Sequence, residues 1–160
     1  MNVEQAHTTE PGAESLRHLV VDIWTALVGL PMVLAERETL ALVGRPLVSG
    51  RIEVLGQWRG HIGVMATAGL ATGIASAMFD KRAVDVSEDD RCDAIGELTN
   101  VTGGNFKALL APLESQLTLP RVTSGAPPAL APGERLLGEV ALGCEGQALI
   151  VTFVAGAPES

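Results

Sequence analysis

The stretch SEDDRCDAIGELTNVTGGNFKALLAP, residues 87–112, reads as one long helix with two different faces. Ser87 stands at the N-cap, Asp90 follows three residues later as the acid of a capping box, and Glu88 and Asp89 suit the positive end of a helix. The helix is expected to run from Glu88 to about Ala111, with Pro112 just past its end. At about 100° per residue, Ile95, Leu98, Thr99, Thr102, Phe106 and Leu109 fall within an arc of about 100° that suits a core. Asp93, Glu97, Asn100, Gly104 and Lys107 fall within about 80° on the opposite side and form a polar ridge.

A carboxylate and a carboxamide at i, i+3 offer acceptors and a donor to one object, and Gly104 just beyond them removes the side chain that would hold a partner surface away. A solvated helix face with an ordinary Glu gives the same spacing, so spacing alone leaves both readings open. Glycine weighs between them: each of Gly96, Gly103 and Gly104 costs about 1 kcal/mol against Ala inside a helix, and a merely solvated ridge gains nothing from Gly104. Gly96 and Gly103 are expected to let neighbouring helices pack. Lys107 is read either as a solvated lysine or as a group that orients Glu97 or touches a partner, and Asp93 as a secondary member of the ridge.

Working outward, Glu14 to Leu30 carries apolar residues at helical spacing and ends before Pro31. Pro46 leads a strand, and Ile52, Val54 and Gly56, followed by Trp58, Gly60, Ile62 and Val64, read as a hairpin. Residues 62–79 carry no charge across about 18 positions, the lower limit of a membrane span. Gly63, Gly69 and Gly73 interrupt them, so the reading is a buried strand followed by a short helix from Leu70 to Phe79. Gln116 to Thr123 reads as a strand, 124–133 as a Pro and Ala loop, and Leu136 to Leu142 with Ala148 to Val154 as a second hairpin. Whether that loop covers the ridge is not decided by sequence.

The two halves echo one another. The Pro46 to Gly50 segment resembles Pro120 to Gly125, and Glu53 to Gly56 resembles Glu139 to Gly143. The expected fold is therefore α+β: pseudo-symmetric units of a helix plus strand and hairpin, forming an antiparallel sheet covered by long helices. The expected organisation is a flexible segment at 1–13, a single domain at 14–155 and a tail at 156–160.

The 160 residues are 47% hydrophobic, enough for one core, and the net charge is −8. No basic cluster exceeds Lys81-Arg82, Tyr is absent and aromatics make up 3%, which argues against nucleic acid on both electrostatic and stacking grounds. The N-terminus has no apolar run after a basic start, so neither a signal peptide nor a membrane is expected. Cys92 and Cys144 are read as reduced, buried small hydrophobes, with one long-range disulfide as the alternative. His7, His18 and His61 lack metal-ligand spacing, and residues 103–107 lack the spacing of a phosphate loop.

The run from Asp93 through Glu97, Asn100 and Gly104 to Lys107 resembles the signature helix of the CheC/CheX/FliY phosphatases, and CheX in particular. The resemblance takes in the Val48 to Gly50 strand entry, the Gly56-x-Trp58-x-Gly60 hairpin, Met78-Phe79 and the Leu117 to Pro120 segment. It implies a cytoplasmic enzyme that hydrolyses the aspartyl phosphate of a CheY-like response regulator, with Asn100 orienting the attacking water and Glu97 engaging the regulator's lysine. Asp93, Gly104 and Lys107 would then contact the partner. The resemblance also implies no metal or cofactor of the protein's own, since Mg2+ would come with the bound regulator, and a homodimer paired through its sheets. Aligning Pro46 with Pro120 sets Ile23 and Ala26 opposite Glu97 and Asn100, so one site is expected where two-site relatives carry a second Glu and Asn. A non-catalytic module that binds or scaffolds the regulator is the alternative.

Overall fold

The computed structural model describes residues 10–156. The sequence expectations for 1–9 and 157–160, and for His7, lie outside the described residues. Helix α1 spans Ala13–Leu27 and is followed by the short strand β1, Val33–Ala35. A hairpin of β2, Leu47–Gly56, and β3, Gly60–Thr67, leads into α2, Ala68–Phe79. Helix α3 then runs Glu88–Leu109, the short strands β4 and β5 take Ser115–Leu117 and Arg121–Ser124, and β6, Arg135–Cys144, pairs with β7, Gln147–Ala155. Glu10, placed by the sequence reading in a flexible segment, is tied to Arg135 at 2.8 Å.

The seven strands among the described residues form one antiparallel sheet in the order β1-β6-β7-β3-β2-β4, with β5 also on β2. The hairpins β2–β3 and β6–β7 lie side by side through β3 and β7. Each half lends its short strand to the other half's hairpin: β1 pairs with β6, and β4 and β5 pair with β2. The α+β class and the antiparallel sheet agree with the sequence reading. The proline echo does not mark equivalent strands, because Pro46 precedes β2 of the first hairpin whereas Pro120 precedes β5, which is β2's neighbour, with Gly50 opposite Val122. The single strand expected from Gln116 to Thr123 is broken in two. Proline at 120 has no N–H for the ladder, and the intervening Thr118 instead bonds Glu53 twice, its N–H donating to Glu53 O and its Oγ1 accepting from Glu53 N–H, each at 3.0 Å.

Side chains alternate across the sheet, and its inner face carries Val48, Ile52, Val54, Ile62, Val64, Val140, Leu142, Val151 and Phe153 into the core. The charge-free run of 62–79 is accounted for here: β3 is central, and α2 buries Leu70, Ala71, Ile74 and Ala75. No helix among the described residues is long and apolar enough to cross a membrane. Trp58, in the turn of the first hairpin, packs edge-on against Phe106 of α3 at 5.1 Å, and Phe106 meets Phe153 of β7 at 5.4 Å. Both cysteines are free thiols, Cys144 buried and Cys92 only half-buried, because Cys92 lies at the margin of the face that α3 turns inward.

Candidate functional site

Helix α3 begins on the expected capping box: Ser87 Oγ accepts from Asp90 N–H, and Asp90 Oδ2 accepts from Ser87 N–H, both at 3.0 Å. These bonds, joined by Lys81 Nζ at 2.9 Å, hold the Asp90 carboxyl below its ordinary range. From that fixed start the helix lies along β2 and packs against both α1 and α2. It buries Ala94, Ile95, Leu98, Thr99, Thr102, Gly103 and Phe106, and the two threonine hydroxyls return their bonds to Ile95 and Leu98 carbonyls. Leu109, expected in the core, is 41% exposed; the helix stops there, and Leu110 at its cap turns inward in its place.

The glycines of α3 have separate uses. A Cβ at Gly103 would fall 2.9 Å from Ile52 Cγ2, and one at Gly50 of β2 would fall 3.2 Å from Ile95 Cγ2. Glycine thus lets α3 lie on the sheet; the expectation that Gly103 and Gly96 serve helix-to-helix packing is corrected, since Gly96 faces Val122 of β5 at 3.5 Å. Gly104 is different. A Cβ there would meet nothing within 4 Å, so packing inside the chain does not require glycine at that position.

Asp93, Glu97, Asn100, Gly104 and Lys107 are all exposed on the outward face of α3. Neither the Glu97 carboxylate nor the Asn100 carboxamide has a hydrogen-bond or ion-pair partner among the described residues. Asn105 makes the contrast: its Nδ2 donates to Val101 O at 2.9 Å. Lys107 cannot orient Glu97, as it lies about 15 Å further along the helix axis and forms no ion pair with it. The 124–133 loop leaves the ridge open, because Ser49 Oγ on the opposite face of the sheet donates to Gly125 O at 2.6 Å and draws the loop to that side.

Sequence reasoning missed what lies beyond the ridge's C-terminal end. An open groove of about 1070 Å³ runs from Gly104 and Lys107 to Leu55, Gln57 and Gln116. These residues come from three separate segments, which the pairing of β4 with β2, two hydrogen bonds between Gln57 and Glu114 and the seating of Gly103 on Ile52 bring together. On α1, Ile23 is buried and Ala26 carries no polar group, so neither supplies a second site. Matching burial instead of prolines, with Ile23-Trp24 in place of Leu98-Thr99, sets the exposed Asp22 and Thr25 opposite Glu97 and Asn100. His18 and His61 lie on different elements, and no group of three or more metal-ligating side chains occurs among the described residues.

A projecting face whose acceptor and amide donor are unspent suits a macromolecular partner better than a small substrate, which would call for a hollow. No curated protein matches the chain significantly in sequence. Among solved structures, the chemotaxis protein CheX of Vibrio vulnificus is similar at 21% identity with a TM-score of 0.68, over 86% of this chain and 91% of that one. CheX of Desulfovibrio desulfuricans is similar at 19% identity and 0.68, over 88% and 95%. The structure of a CheX-CheY-BeF3-Mg complex from Borrelia burgdorferi is similar at 17% identity and 0.69, over 89% and 96%. These likenesses establish the shared fold. The family described as chemotaxis phosphatase CheX matches residues 48–136, more than half of the sequence and including all of α3, and the chain belongs to that family.

Proposed function

We propose that this protein is a phosphatase for the aspartyl phosphate of a CheY-like receiver domain, and that α3 is the element it inserts. The observation that carries the reading is the pair Glu97 and Asn100: exposed, one helical turn apart, unpartnered among the described residues, and followed by the open space at Gly104. The family's phosphatase character and the complex of a CheX from Borrelia burgdorferi with CheY support a receiver as the partner.

In this mechanism the Asn100 carboxamide holds a water in line with the phosphorus and the bond from phosphorus to the aspartyl oxygen. Water attacks, that bond breaks, and the receiver regains its carboxylate while inorganic phosphate leaves. Phosphoryl transfer of this kind asks for position and charge stabilisation more than for a strong base, which a neutral amide can satisfy. Glu97 engages a receiver lysine and sets the register of docking, with Asp93 and Lys107 contacting the partner to either side. Magnesium belongs to the receiver's own site. The proposed setting is the cytoplasm, and a second copy would pair at the sheet edge, where Val33 and Leu34 of β1 are exposed.

The test is the decay of a phosphorylated CheY-like receiver in the presence of substoichiometric protein. Multiple turnovers per molecule are expected. Binding without acceleration would replace the phosphatase with a sequestering module.

A further inference from the structure

The outer face of the sheet, turned away from α3, carries a groove of about 580 Å³ roofed by residues 126–130. That volume lies in the range of small-molecule sites, about 300–1,000 Å³. Its floor is low where Gly63 of β3 lies beside Thr152 of β7, and Met65, Pro127, Pro128, Leu130, Leu136 and Val154 give it apolar walls. The roof is tied down at both ends. Gly125 N–H donates to Leu47 O at 2.8 Å and Ser49 Oγ to Gly125 O, while at the far end Glu134 Oε2 lies 3.2 Å from His61 Nδ1.

Among the described residues, two of the three arginines along this groove are paired and the third is not. Arg37 is held by Glu139 through two bonds of 2.9 and 3.0 Å, and Arg51 reaches Glu53 at 3.2 Å. Arg121 of β5 stands directly opposite Arg51 of β2 in the strand register, on the same face, and has no partner among the described residues. Like charges directly opposite one another on neighbouring strands are destabilising. An anion between the two guanidiniums would remove that repulsion, and the apolar walls leave room for a body attached to it.

We propose that this groove is a second binding site, for a small amphiphilic anion whose carboxylate lies on Arg51 and Arg121 and whose short aliphatic body lies beneath Pro127 and Pro128. Because α3 is on the other side of β2, the site is separate from the ridge and does not depend on how the ridge acts.

Calorimetric titration with octanoate tests it. One saturable site is expected, with affinity at least tenfold weaker in Arg121→Met, which keeps the stem of an exposed side chain while removing its charge, and unchanged within twofold in Asn100→Ala. Two arms vary the ligand and need no variant: octanol, lacking the charge, and inorganic phosphate, lacking the body, should each bind at least tenfold more weakly than octanoate. Absence of saturable octanoate binding, equal affinity in Arg121→Met, or octanol or phosphate binding as tightly as octanoate would overturn the proposal. So would octanoate affinity that falls as protein concentration rises, since the groove would then be covered by a second copy of the chain.

Discussion

Gly103 of α3 lies directly on Ile52 of β2, and this contact sets the height at which the Glu97 and Asn100 ridge stands above the sheet. Alanine at 103 would gain about 1 kcal/mol of helix propensity. It would also press on the branched Ile52 side chain, and overpacking of that kind costs about 1–3 kcal/mol. Gly103→Ala is therefore expected to lower stability by about 1 kcal/mol, read by urea unfolding; a stabilised variant would mean that the helix can lift off β2 freely.

Gly104, one residue on, should respond in the opposite sense. Its Cβ would point into open space, so Gly104→Ala is expected to raise stability by about 1 kcal/mol. Gly104→Leu should remain folded yet lose at least tenfold in kcat/KM on a phosphorylated receiver, because the added side chain holds the partner away. Full activity in a folded Gly104→Leu would contradict close approach along the ridge.

The capping box gives a third expectation. Ser87→Ala should cost about 1 kcal/mol by removing the acceptor for Asp90 N–H. The Asp90 carboxyl is held below its ordinary value of 3.8 by the Ser87 backbone N–H and by Lys81. Its contribution is complete above the unfolded-state value and is lost as pH falls through the lower folded-state value. Asp90→Asn should abolish that part of the acid sensitivity; an unchanged acid limb in the variant would assign it to other carboxylates.

His61 gives a pH dependence of the same direction in a higher window. Burial and the nearby Arg51 push its imidazole below 6.5, outweighing the opposing pull of Glu134 and Glu53. The folded state therefore favours neutral His61, and stability is complete above pH 6.5. Below that value the unfolded chain takes up the proton first, so stability should fall with pH until the lowered folded-state value is passed. Urea midpoints measured from pH 7.5 to 5 should show this fall in the wild type and a flatter profile in His61→Gln; parallel profiles would contradict it.

The parts of this molecule that were legible in its sequence are those governed by local rules. The Ser87 and Asp90 cap, the inward and outward faces of α3, and both hairpins follow from spacing, capping and turn chemistry, and the structure places them within a few residues of the reading. What was not legible depends on partners distant in the chain. Pro120 looked like a counterpart of Pro46 because the flanking residues match, yet β5 lies beside β2 instead of repeating it. Gly103 looked like a helix-packing residue because sequence does not say that Ile52 lies beneath it. The outer groove joins residues from β2, β3, β5, β6 and β7, and no local pattern announces it. The ridge was readable for a simple reason: it lies on a single helix, where a period of 3.6 brings Asp93, Glu97, Asn100, Gly104 and Lys107 into line.

The most direct test of the central claim measures turnover and binding together for Asn100→Ala. Asn100 is exposed and unpartnered among the described residues, so its removal should leave stability within about 0.5 kcal/mol of the wild type. The account predicts at least a hundredfold loss in kcat on a phosphorylated CheY-like receiver, with receiver affinity within a few fold of the wild type. Wild-type turnover by Asn100→Ala would contradict the account, because the water would then be positioned by some other group.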